Sequence, residues 1–179
     1  MGQPQAHPQA ICLLAMSSRY LAALEWGRAT AARAWGGVAA ASAAFEFGET
    51  RYYDESMGQN LRKQFLIFQP PYDPAETASR KLLANAWETE YAELGRHAEP
   101  RPLNLDSGYM TLAKLVLAST KDHAHRIYLH SGIYAEVTLY YKDKGWRDRE
   151  WTFPDYRRAD YQAFFSEARE LLRQRGTRR

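Results

Sequence analysis

The chain has 179 residues, 45% hydrophobic, 25% charged and 13% aromatic, with a net charge of +3. That is enough apolar material for one packed domain and argues against wholesale disorder. No apolar run nears the ~18 residues of a membrane-spanning helix, and one cysteine, Cys12, excludes an internal disulfide framework and a cysteine-built zinc site.

Lys plus Arg number 24 against 21 Asp plus Glu, a mild surplus that permits anionic partners without demanding them. Much of it gathers at Arg173, Arg175, Arg178 and Arg179. Cations there complement the negative end of a helix dipole; contact with nucleic acid is the rival reading. Met1–Gln9 carries two prolines and no charged n-region, so it reads as a loose tail and not a signal peptide. The expectation is a cytoplasmic protein with a tail over 1–9, a single domain over 10–176 and a basic tail over 177–179.

In chain order, Ile11 to Met16 predicts a buried strand, with Ser17 and Ser18 capping a helix behind it. Tyr20, Leu24, Ala31 and Trp35 follow near-helical spacing until Gly36 and Gly37 stop them. Val38 to Phe47 reads as one strand and Tyr52 to Asn60 as a polar loop. Arg62 to Phe68 is a strand that Pro70, Pro71 and Pro74 end. Asp73-Pro74-Ala75-Glu76 predicts a capped helix start with Glu76 reaching back, and Leu83, Trp87, Glu90 and Leu94 mark the stripe before Gly95. Leu103 to Leu105 is extended, after which Asp106-Ser107-Gly108 predicts a second helix start. The apolar surround from Met110 to Ala118 makes that helix mostly buried. Two strands, a polar turn at Asp143-Lys144-Gly145 and a helix bearing Phe164, Phe165, Ala168, Leu171 and Leu172 complete the chain. The fold class is α+β: a mainly antiparallel sheet with a ferredoxin-like βαββαβ start, then a helix, a β-hairpin and a C-terminal helix.

The hairpin is the most legible part. Ile133, Ala135, Val137 and Leu139 alternate with Tyr134, Glu136, Thr138 and Tyr140. A two-residue loop at Ser131-Gly132 sets Ile127 against Glu136 and mixes the faces. A three-residue loop over His130, Ser131 and Gly132 pairs Leu129 with Ile133 and Ile127 with Ala135, and puts Gly132 at the left-handed position. Arg126 then faces Glu136, and Tyr128 faces Tyr134. Such pairs stabilise a solvated sheet face by roughly 0.2–1 kcal/mol. The functional reading is a polar floor with Arg126 as its anion contact.

No phosphate-cradling G-x-x-x-x-G-K-[ST] and no G-x-G-x-x-G occurs. His123, His125 and His130 cluster without diagnostic metal spacing, and His125, in phase with Ile127 and Leu129, reads as an edge-of-core histidine. Cys12 reads as a buried inert thiol. Asp106 reads as a helix cap, with a carboxylate at a cleft mouth as its rival role, and Tyr52, Tyr53 and Arg62 as flanks of a cleft wall. Ser119, Thr120, Lys121 and Asp122 lead straight into the Arg126 strand and place charge near the interior.

Two stretches, Leu105-Asp106-Ser107-Gly108-Tyr109 and Leu115 to Asp122, resemble a prokaryotic family known as domain of unknown function 4416. So do His125 to Leu129, Gly132 to Glu136 and Trp151-Thr152-Phe153-Pro154-Asp155-Tyr156-Arg157. The resemblance runs from about Ile11 to the last helix and departs at Ser107, where proline is expected. It implies no defined activity. Some relatives carry a GTP-binding label, which without a P-loop requires another binding mode. The family-like positions are Lys121, Asp122, His125, Arg126, Tyr134, Glu136, Asp155, Tyr156 and Arg157, and Tyr128, Asp106 and Arg62 join them as candidates.

Two functions compete. One is binding of, or action on, a small anionic ligand such as a nucleotide or phosphorylated metabolite. Lys121 and Arg126 contact the anion, Asp122 and Glu136 orient them or act as acid or base, and Tyr128 or Tyr134 stacks on a ring. The other is a non-enzymatic RNA- or protein-binding module. No cofactor, oligomeric state or reaction follows from the sequence.

Overall fold

The computed structural model describes residues 2–177; Arg178 and Arg179 of the predicted basic tail lie outside the described residues. Its strands are β1 (Ile11–Ser18), β2 (Val38–Ala41), β3 (Phe45–Phe47), β4 (Leu61–Pro71), β5 (Asn104–Met110), β6 (Lys114–Ser119), β7 (Ile127–His130), β8 (Ile133–Lys142) and β9 (Gly145–Asp148). Its helices are α1 (Leu21–Trp35), the one-turn α2 (Asp54–Met57), α3 (Thr77–Glu93) and α4 (Ala159–Thr177), with 3-10 turns at Pro74–Glu76 and Pro154–Arg157.

The strands form one sheet in the order β2-β4-β1-β5-β6-β8-β7, with β3 beside β4 and β9 beside β8. Every pairing is antiparallel. The first part, β1-α1-β2-β4-α3-β5, keeps the predicted βαββαβ connectivity, and helix and antiparallel sheet together make the fold α+β.

β1 is buried at all eight positions, because both faces of the sheet are covered. Cys12, Leu14 and Met16 pack with Leu66, Phe68 and Leu105 beneath α1 and α3, against Leu24, Trp35, Trp87 and Tyr91. Ile11, Leu13 and Ala15 pack with Phe65, Ile67, Met110 and Leu115 beneath α4, against Tyr161, Phe165 and Leu172.

The predicted buried helix after Asp106 is not there. β5 and β6 form a hairpin closed by Thr111, whose Oγ1 accepts from the backbone N–H of Ala113 and Lys114. An apolar surround reads equally as a helix buried all round or as strands buried on both faces, so periodicity could not separate them. Gly108 decides it. A Cβ there would meet the Val116 carbonyl oxygen at 2.2 Å, so only glycine lets β6 come alongside.

Smaller corrections have local causes. The strand over 38–47 is two, β2 and β3, which pair with different parts of β4. The loop over 52–60 holds α2, which anchors through fully buried Met57. β4 runs on through Pro70 and Pro71. β1 takes in both serines, and Ser18 Oγ accepts from Tyr20 N–H just before α1. Asp73 accepts from Ala75 N–H as predicted, but Glu76 turns outward to Arg80. The inner face of α3 is Thr77, Ala78, Lys81, Ala84, Trp87 and Tyr91. Leu83 and Leu94 are exposed.

In the β7–β8 hairpin Ile127 pairs with Ala135 and Tyr128 with Tyr134, as the register argument requires. The loop is shorter than predicted. Ser131 and Gly132 both have positive φ, 54° and 75°, which is a two-residue turn. The residue in excess, Leu129, sits in an irregularity between Tyr128 and His130, and His130, not Leu129, faces Ile133. Ile127, Tyr128 and Leu129 are exposed on the last strand of the path, so His125 does not border an apolar core there.

Candidate functional site

β5 and β6 pair only through Gly108, Tyr109 and Met110. Asn104 to Ser107 pair with β1, while Ala118 and Ser119 pair with β8. Between them the sheet opens. α3 spans the opening: Lys81 donates to the Leu105 carbonyl at 2.8 Å on one flank, and Ala78 packs on Ala118 and Ile133 on the other. The result is a cleft of about 490 Å³, walled also by the segment after β3 and by Phe153 to Asp155. That is the size of a small-molecule site.

The charged groups in and around it arrive from several elements. From α3, Lys81 Nζ donates to Asp106 Oδ1 at 2.9 Å, and Asn104 Nδ2 donates to Oδ2 at 2.7 Å. Burial alone would raise the Asp106 carboxyl. The cations Lys81 and Lys63, with these hydrogen bonds, outweigh it and hold the carboxyl at about 2. From β4, Lys63 is in phase with Phe65 and Ile67; its Nζ donates to Asp155 Oδ2 at 2.5 Å and lies 3.9 Å from the Phe47 ring centroid. Arg101 holds Glu88 by two hydrogen bonds and contacts Asn104 Oδ1. Glu88 in turn accepts from Leu105 N–H, and its burial raises its carboxyl above the usual range.

The fourth pair is the one the hairpin predicted. Arg126 Nε donates to Glu136 Oε2 at 2.7 Å, and its Nη1 donates to Ser119 Oγ and the Lys121 carbonyl. The side chains are 5% and 1% exposed, so this is a buried pair and not a solvated one. The cause is an irregularity opposite β6: Leu117 faces Glu136, Leu115 faces Leu139, and Thr138 falls between. Glu136 and Leu139 thus share the face toward α4, contrary to the unbroken alternation read from sequence. His125 Nε2 lies 3.0 Å from Glu136 Oε2, its ring stacked on Trp151 at 5.1 Å. Thr138 donates to Glu136 Oε1.

Lys121 differs. Its Nζ donates to Tyr52 Oη at 2.5 Å and lies 4.1 Å from that ring's centroid. The hydrogen bond from Lys121 draws the Tyr52 phenol below its ordinary range. Lys121 is exposed, as are Tyr52 and Phe153 beside it at the mouth.

Of the positions chosen from sequence, Lys121, Arg126, Glu136, Asp155 and Asp106 line this one cleft. Asp106 does so as the strand carboxylate of its rival reading and not as a helix cap. The others fall elsewhere. Asp122 is exposed and does not line the cleft. His125 stands behind Glu136. Tyr128 and Tyr134 meet edge to face at 5.3 Å on the hairpin. Tyr156 is buried in the core under α4, where burial raises its phenol well above the usual range. Arg157 pairs with Asp148 on the surface. Arg62 opens on a separate, more open hollow of about 770 Å³ beside Arg19 and Arg158.

Sequence reasoning missed Lys63, Lys81, Asn85, Arg101 and Asn104. Two had a signal: Lys63 and Lys81 are charges in phase with apolar neighbours, which solvated lysines rarely are. Asn85, Arg101 and Asn104 had none. Among the described residues, no group of three or more His, Cys, Asp or Glu side chains is placed to hold a metal ion, and no helix is long and apolar enough to cross a membrane.

One family model matches residues 7–172; its description is Domain of unknown function (DUF4416). No curated protein and no solved structure matches the chain.

Proposed function

We propose, from the premise that this chain belongs to the DUF4416 family, that its cleft binds a small anionic ligand without a P-loop. A nucleotide or a phosphorylated metabolite is the class we favour. The observation that carries the reading is convergence. Lys63 from β4, Lys81 from α3, Arg101, and Lys121 and Arg126 from the β6–β7 connection reach one 490 Å³ cleft; four of them hold carboxylates there, and Lys121, at the exposed edge with Tyr52, has none among the described residues. Scattered surface cations do not converge this way; sites with a few convergent polar groups do. Asp106, held ionised, serves as a hydrogen-bond acceptor and not as a general acid near neutrality. The ferredoxin-like start supplies an analogy of fold and no activity. We place the protein in the cytoplasm.

Thermal unfolding against a panel of nucleotides and phosphorylated metabolites tests this. A ligand at a hundredfold excess over its Kd stabilises by about 2.7 kcal/mol, a Tm rise of about 5–10 °C for a chain of this size. A panel that leaves Tm unmoved at millimolar concentration refutes the reading. A second reading, a non-enzymatic RNA- or protein-binding module, draws on the β7 edge, where Ile127 is 73% exposed. Salt-sensitive retention on single-stranded RNA, lost on substitution of Tyr128, would favour it.

A further inference from the structure

We infer that the ligand enters with a neutral, planar, hydrogen-bonding end first and leaves its anionic group at the mouth on Lys121. Its class is then a phosphomonoester of a ring compound, such as a nucleoside 5′-monophosphate, and not a polyphosphate. This rests on the anionic-ligand reading and specifies its substrate.

The argument is charge accounting within one cleft. Lys63, Lys81 and Arg126 already hold Asp155, Asp106 and Glu136 at 2.5, 2.9 and 2.7 Å. Arg101, half-buried at the wall, holds Glu88. The interior therefore carries no surplus positive charge. A phosphate placed there would either break a buried pair, stranding a carboxylate, or lie beside carboxylates unopposed. A neutral ring bearing donors and acceptors meets no such cost, because paired carboxylates keep spare lone pairs and Asn85 and Asn104 line the same space.

Lys121 is the exception. Among the described residues no carboxylate lies within ion-pair distance of its Nζ, whose partner is the neutral Tyr52 hydroxyl. It sits at the rim against Tyr52, which is 64% exposed, and Phe153, 41% exposed, lines the same cleft. A cation without a counter-charge, resting on the Tyr52 ring at the exposed edge of the cleft, suits a ligand whose ring lies inside while its anion stops at the lysine.

The experiment is a binding series by calorimetry and thermal shift on the full chain and on Lys121→Gln. Probes are the four common nucleosides, their 5′-monophosphates and triphosphates, and inorganic tripolyphosphate. The expected result is that one monophosphate binds at least tenfold tighter than its nucleoside. Its triphosphate gains no more than about threefold over it, and tripolyphosphate alone does not bind. In Lys121→Gln the monophosphate falls to the affinity of the nucleoside, which itself is unchanged. Because Lys121 is exposed, the unliganded variant should melt with the wild type. Affinity that climbs with each phosphate, tripolyphosphate that binds by itself, or monophosphate binding that survives Lys121→Gln overturns the inference while leaving an anion site. Binding restricted to ring-free phosphates overturns the ligand class. If no anionic probe binds at all, the broader reading fails and this one with it.

Discussion

Replacing Lys81 with methionine isolates the energetics of the cleft. Lys81 is buried and its Nζ serves both the Leu105 carbonyl and Asp106. The Asp106 carboxyl lies at about 2 in the folded chain against an ordinary 3.8. At about 1.36 kcal/mol per pH unit, that gap contributes on the order of 2 kcal/mol to the folded state. The folded value is the lower one, so the contribution is complete above about pH 4 and drains away as pH falls toward 2. About 1 kcal/mol of it is gone at pH 3. In Lys81→Met the buried carboxylate loses its nearest cation, and its carboxyl rises. Stranding one member of a fully buried pair costs about 3–5 kcal/mol; Asp106 keeps 29% side-chain exposure, so the variant should lose about 2–3 kcal/mol at pH 7 and visibly less at pH 3. Urea unfolding at both pH values, with the slope unchanged and only the midpoint moved, reads the difference. Lys81→Met combined with Asp106→Asn should recover part of the loss, since no uncompensated charge stays buried. A loss below 1 kcal/mol, or one equal at the two pH values, would refute the pairing as the source of stability.

Three further outcomes follow from backbone geometry and burial. Gly108→Ala drives a Cβ into the Val116 carbonyl and should cost more than about 3 kcal/mol or prevent folding; circular dichroism melts decide it, and a variant melting with the wild type sinks the close-approach argument. Gly132→Ala, at φ 75° in an exposed turn with open space around it, should cost only about 1–2 kcal/mol from the left-handed backbone, read as a modest fall in Tm. The Cys12 thiol, which burial pushes up to about 12, should resist a disulfide reagent at pH 8 until the chain unfolds; labelling of native protein at free-thiol rates would contradict its place under α1 and α3.

The sequence disclosed the fold where one face of a strand set the register. Apolar alternation and the need for a left-handed glycine put Arg126 against Glu136, and that geometry is present. It did not disclose which side of the sheet would be covered, because the α4 helix arrives from 20 or more residues later in the chain and an irregularity at Thr138 shifts the phase. The hairpin of β5 and β6 looked helical for the same reason: burial on two faces erases period. Leu129 shows how two local choices can cancel, a shorter turn and an extra strand residue leaving the downstream pairs where they were expected. Of the five site positions that the sequence named, Arg126 and Glu136 came from the hairpin register, Lys121 from its place at the end of an apolar run, Asp106 as the rival of a helix cap, and Asp155 from the family resemblance alone. Lys63 and Lys81 each stand in the phase of buried neighbours, a signal the apolar pattern alone does not single out.

The parting of β5 from β6 has a mechanical side. Only three residue pairs stitch the middle of the sheet, and Gly108, which has no side chain to contribute to packing, is one of them. The sheet is in effect two leaves on a short seam, with α3 lying across as a strap. Amide protons along that seam should exchange sooner than those of β1, and a molecule touching both Asp106 and Glu136 would rivet one leaf to the other.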